Sequence, residues 1–204
     1  MTYNVDELLE FIAWPESRGD IDIVYGGIKV KDRPPNKLST MTIGEVLAWQ
    51  DSIDSQYPSE AAGKFQIMED TLRGLYKQAG LTTGSLYSAV NQKKLAIALL
   101  KRRGLDDYLN GSITTLKFAD NLSKEWASLP ATIKDRKGRP ATGQSYYAGD
   151  GLNRSHVSIA DLLSKVETVK AHKDVAVGNT KGSRVGHGQH QVLEVFMKCL
   201  KGLR

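Results

Sequence analysis

One carboxylate in this sequence sits where a proton donor would have to sit. Glu16 follows Leu8, Leu9, Phe11, Ile12 and Trp14, whose spacing lines one face of a helix from Asp6 to Trp14. Pro15 has no N–H for the helix ladder and is expected to end or kink the helix just before the acid. Glu16 would then leave a packed element half in apolar surroundings and half in a groove. Partial burial disfavours the charged form of a carboxylate and raises its pKa, which a general acid near neutral pH requires. The same spacing also describes a solvated acid past a helix end, and spacing alone does not separate the two readings.

Two other stretches put hydrogen-bonding groups in apolar company. Gln66 lies among Phe65, Ile67 and Met68, behind the small residues Ala61-Ala62-Gly63 that let backbone approach closely. Such an amide needs a partner, either the protein's own backbone or a ligand. Gly143-Gln144-Ser145-Tyr146-Tyr147-Ala148-Gly149 sets two aromatic rings beside an amide. Rings next to hydrogen-bonding side chains suit sugar faces, which are apolar over C–H and polar at the rim. Two tyrosines that pack a loop down would leave the same pattern. Of the four histidines, His187 and His190 have a ligand-like spacing without helical context or a nearby carboxylate pair, so no metal site is expected, and His156 and His172 stand alone.

The elements that must position these groups are mostly helical. Asn4 is a good N-cap for the first helix. Asp20 to Val30 holds two β-branched runs around Gly26-Gly27, the signal of a β-hairpin. Thr42 and Glu45 have the capping-box spacing that opens a helix through Val46, Leu47, Trp49 and Ile53. Further helices are expected over 69–79, 85–103 and 115–128, closed by Gly80, Gly104 and Pro130, and over 158–172. Residues 174–188 are glycine-rich and read as a linker. Residues 189–203 put Val192, Val195, Phe196, Cys199, Leu200 and Leu203 on one face of a terminal amphipathic helix. The fold class is α+β, mostly α, with a small β-hairpin lobe beside a cleft.

Composition narrows the classes. A chain of 204 residues with 40% hydrophobic and 25% charged residues fits one ordinary globular domain with room for an appendage. No apolar run reaches the ~20 residues that cross a bilayer, and the N-terminal residues have no signal-peptide pattern. One cysteine excludes an internal disulfide and fits synthesis in the cytoplasm. The net charge of +5 is carried by residues 165–204, which hold eight Lys+Arg and three Asp+Glu; residues 1–164 are neutral. The division suggests a domain over 1–164 and a basic extension over 165–204, attracted to something anionic. That extension lacks the aromatic–basic interleaving of a nucleic-acid binder, so none is expected as a partner.

Taken in order, Ala13-Trp14-Pro15-Glu16, Asp22 to Gly27, Ala62-Gly63-Lys64-Phe65-Gln66, Trp126-Ala127-Ser128-Leu129-Pro130 and Gly143-Gln144 resemble the phage lambda-type lysozymes. These are lytic transglycosylases of peptidoglycan. The resemblance spans roughly residues 5–150. It departs at Pro15 before the acid, Lys64 for arginine, Phe65 for tyrosine, and a longer loop at 131–142.

The resemblance implies a lysozyme-like fold and cleavage of the β-1,4 bond between N-acetylmuramic acid and N-acetylglucosamine, with Glu16 as the catalytic acid and no cofactor. Substrate binding would fall to Asp22, Lys64, Phe65, Gln66, Gln144, Tyr146 and Tyr147. The partner is bacterial peptidoglycan, with other virion proteins as a further option through the extension. The enzyme would be made in the host cytoplasm and act in the periplasm or wall. A carboxylate of Asp22 facing Glu16 across a water would open hydrolysis instead of transglycosylation. A glycan-binding or virion-structural module that has lost the chemistry is the third reading.

Overall fold

The computed structural model of the chain describes residues 3–149 and 153–178. Seven helices are formed among them: α1 (Asp6–Ser17), α2 (Ile43–Ile53), α3 (Glu69–Leu75), α4 (Ala89–Arg102), α5 (Leu105–Asn110), α6 (Thr115–Ser123) and α7 (Ile159–Gly178). Three short 3-10 turns sit between α1 and α3. No described helix is long and apolar enough to cross a membrane.

Local sequence explains several helix starts. Thr42 and Glu45 close the expected capping box: the Thr42 hydroxyl accepts from Glu45 N–H at 3.2 Å, and the Glu45 carboxylate accepts from Thr42 N–H at 2.7 Å. Thr114 accepts from Lys117 N–H at the start of α6. Asn4 accepts from Asp6 N–H at 2.8 Å, one residue ahead of the helix boundary.

The mostly helical class holds, but the β-hairpin lobe does not form. Among the described residues β pairing is confined to isolated bridges. The reason is a competing partner. Tyr25 N–H donates to Ala61 O at 3.0 Å and Gly63 N–H donates to Ile23 O at 2.8 Å. Residues 23–25 therefore spend their backbone groups on 61–63, and Val30–Asp32 coils into a 3-10 turn. The tight reversal lies instead at 62–67, where Ala62 and Ile67 exchange both backbone bonds. Gly63 (φ +75°) and Gln66 (φ +48°) take the left-handed backbone that this reversal needs.

Two buried glutamines fasten that reversal from opposite sides. From α2, Gln50 donates through Nε2 to Glu60 O and Ile67 O at 3.0 and 2.9 Å. From α4, Gln92 accepts from Lys64 N–H at 2.7 Å and donates to Ile21 O and Tyr87 O at 2.9 and 2.8 Å. Buried polar side chains persist where they are paired, as Gln92 is through both amide atoms; Gln50 is paired through Nε2 alone, and its buried Oε1 meets no donor among the described residues. The core around them is apolar, with Leu8, Leu9, Ile12, Leu72, Leu95, Leu99 and Leu122 all covered, and Tyr108 stacked on Phe118 at 5.0 Å.

The C-terminal helix differs from expectation in length. α7 continues to Gly178, so the linker reading fails over 174–178, and the helix runs unbroken across position 164. Val166 and Val169 are buried in the core and Tyr108 Oη donates to Val166 O at 3.2 Å. α7 packs on α1 and α6. The amphipathic segment 189–203, the rest of the linker, and the His187–His190 pair lie outside the described residues.

Candidate active site

α1 delivers Glu16 to the rim of a cleft. The helix passes through Pro15 and ends two residues later, contrary to the expected stop at the proline. Pro15 falls in the last turn, where its missing N–H costs a single ladder bond. The stop is the left-handed Arg18 (φ +56°), whose N–H closes on Trp14 O at 3.0 Å. Ser17, buried, hydrogen-bonds through its hydroxyl to Ala13 O and to Lys64 O, at 3.1 and 2.8 Å. It ties the end of α1 to the 62–67 reversal, so Glu16 and Gln66 are fixed relative to each other.

Glu16 itself is half-buried. Its Oε1 accepts from Ser128 Oγ at 2.5 Å. Burial pushes the carboxyl above the ordinary glutamate range; the hydroxyl and backbone N–H of Ser128, and the charge of His156, pull the other way without cancelling it. Ser128 is held in turn, because its carbonyl accepts from His156 N–H at 2.8 Å.

The cleft has a volume of about 560 Å³, within the usual range for a ligand site. Its lining includes Tyr25, Pro58, Ser59, Ala61, Gln66 and Met68. Arg102, Arg103, Lys124, Glu125, Trp126 and Tyr147 line it as well. Glu125 is the second carboxylate on the described lining, and it is engaged: Arg102 Nη2 reaches both of its oxygens at 2.7 and 2.9 Å, and Arg103 Nε reaches one at 2.7 Å.

The residues singled out in the sequence are dispersed. Glu16, Gln66 and Tyr147 line the cleft together. Gln66 donates to Gly63 O at 2.9 Å, and Tyr147 Oη donates to Lys124 O at 2.9 Å. Tyr146 packs edge-on against Tyr147 at 5.2 Å, with Lys124 Nζ 5.5 Å from its ring. Asp22 accepts from Ser39 N–H at 2.7 Å and is not on the described lining. Lys64 and Phe65 border a separate hollow of about 260 Å³, where Lys64 pairs with Glu10 at 2.6 Å. Phe65 is buried and accepts through its carbonyl from Trp126 Nε1 at 3.3 Å. Gln144 borders a third hollow, beneath the 131–148 loop. No His/Cys/Asp/Glu group that could hold a metal occurs among the described residues.

Sequence reading passed over Ser128, His156 and the Arg102–Arg103–Glu125 triad as site residues. Ser128 had a signal, since it lies inside the Trp126–Pro130 run. The arginine pair had none, because cations at a helix C-terminus are ordinary dipole partners.

The sequence model of the Endolysin family matches residues 48–151. No curated protein and no solved structure gives a significant match. The matched stretch carries the Gln66 reversal, the arginine pair, Ser128 and Tyr147; Glu16 precedes it. With just over half of the 204 residues inside that match, and most of the cleft built from them, the chain belongs to the endolysin family.

Proposed function

We propose that this endolysin is a lytic transglycosylase that cleaves the β-1,4 bond between N-acetylmuramic acid and N-acetylglucosamine, with Glu16 as acid and then base. The coarser activity follows from the family: endolysins are phage enzymes that degrade the bacterial cell wall. The finer reading rests on one observation. Glu16 is a half-buried carboxyl with a raised pKa in a cleft whose other described lining carboxylate is held by two guanidiniums.

Glycoside cleavage needs a proton on the leaving oxygen and relief of positive charge on the sugar ring. A protonated Glu16 supplies the first. Two-carboxylate hydrolysis asks for a second free carboxylate across the bond. Glu125 is bound by both arginines, and Asp22 is off the described lining. In transglycosylation the substrate supplies its own nucleophile: the muramic C6 hydroxyl gives its proton to Glu16 and closes on C1, leaving a 1,6-anhydro end. An intramolecular nucleophile gains effective molarity that a bound water lacks. Ser128 holds the carboxyl in orientation, and Gln66 and Tyr147 offer polar groups along the same cleft.

The test is mass spectrometry of fragments released from purified walls by wild type and by Glu16→Gln. Wild type is expected to yield anhydro ends, lighter by one water than reducing ends. The variant is expected to lose about 10²–10⁴-fold in rate, the usual worth of a positioned acid/base. Reducing ends would replace transglycosylation with hydrolysis, and an active Glu16→Gln would remove the catalytic assignment.

A further inference from the structure

On the lining of the same cleft, where the end of α4 meets the turn after α6, the charges do not balance. The Glu125 side chain is only 7% exposed and meets two guanidiniums, from Arg102 and Arg103. Arg103 spends a further N–H on Lys124 O at 3.0 Å. Lys124 is matched separately, by Asp120 at 2.9 Å. One carboxylate therefore serves two arginines, and an arginine does not shed its proton. The excess charge falls on Arg102, the more exposed of the pair. It uses Nη2 alone, and its Nε and Nη1 meet no acceptor among the described residues. The whole group borders the cleft.

A glycan whose muramic lactyl groups are amide-linked to peptide stems carries no charge on its sugars and offers that guanidinium nothing. The anions of a peptidoglycan strand are the carboxylates of the peptide stems borne on the muramic lactyl groups. We propose that Arg102, braced by Glu125 and Arg103, binds a stem carboxylate, and that the enzyme thereby selects strands that still carry acidic stems. This rests on the reading of the cleft as a peptidoglycan site. A guanidinium suits the task because its N–H groups are fixed in a fork that matches a carboxylate. Glu125 holds that fork in place before substrate arrives, which lowers the ordering cost of binding.

The experiment compares two substrates from one preparation: purified walls freed of attached anionic polymers, used as they are and after carbodiimide coupling to ammonia has turned the stem carboxylates into amides. Initial rates against substrate concentration are read for wild type, Arg102→Gln and Arg102→Lys. Wild type is expected to prefer strands whose stems keep their carboxylates. Arg102→Gln is expected to lose about tenfold more kcat/KM on those strands than on amidated ones, through KM, and Arg102→Lys to recover part of it. The difference is expected to shrink as salt rises. Equal losses on both substrates, as an early-unfolding variant would show, overturn the proposal, and so does a wild type indifferent to amidation of the stems. Retained cleavage by Glu16→Gln would overturn the catalytic reading instead and leave the Arg102 ratio to be judged by itself.

Discussion

Replacing Gln92 by leucine tests whether hydrogen bonding from α4 holds the cleft wall in place. Gln92 is 1% exposed. Its amide serves three backbone groups: the N–H of Lys64 and the carbonyls of Ile21 and Tyr87. Leucine keeps approximate volume and removes all three bonds. A buried polar group left unpaired costs about 1–3 kcal/mol. Only the Tyr87 bond is fully buried, so water can relieve the other two in part, and the expected loss is about 3–4 kcal/mol. Domains have only about 5–15 kcal/mol to lose. Urea unfolding followed by tryptophan emission would read it as a lower midpoint at unchanged slope. Cleavage should also weaken, since residues 61–66 carry Ala61 and Gln66 into the cleft. A loss under about 1 kcal/mol at unchanged slope would show that packing, and not these bonds, secures the reversal.

Three other outcomes are expected. Ser128→Ala removes a donor that favours ionised Glu16 while burial remains, so the carboxyl pKa rises; the high-pH limb of kcat/KM should move to higher pH, and an unmoved or lowered limb would contradict the Ser128–Glu16 bond. Because Glu16 keeps its proton to higher pH in the folded chain than in the unfolded one, its ionisation erodes stability as pH climbs from about 4.3 through the raised value. Glu16→Gln escapes that cost, so thermal scans should find it more stable than wild type at pH 7 and not at pH 4; the same difference at both would refute the desolvation account. Gly63→Ala would force a Cβ to 2.6 Å from Gln92 Oε1 and 2.8 Å from the Tyr87 ring at a φ of +75°, with an expected loss of about 2–4 kcal/mol in the same urea assay.

What the sequence made legible was whatever depends on neighbours along the chain. The α1 face, the Thr42–Glu45 box and the helical majority all follow from spacings of three or four residues. The partial burial of Glu16 was foreseeable from the apolar run before it. Failures arose where a distant segment outbid a local preference. Gly26-Gly27 is a sound turn signal, yet residues 23–25 pair with 61–63, some forty positions away. Pro15 is a sound stop signal, yet the left-handed Arg18 sets the end. Gln92 carries no local signal on α4, and its role is visible only once Ile21 and Lys64 lie beside it.

The bond between Glu16 and Ser128 joins positions 112 residues apart. Ser128 is anchored further downstream still, by His156. Bringing such distant positions together costs the loop-closure entropy of the intervening chain, so a nick between them would loosen the pairing. Orientation of the Glu16 carboxyl is thus shared between the first helix and a segment more than half the chain away.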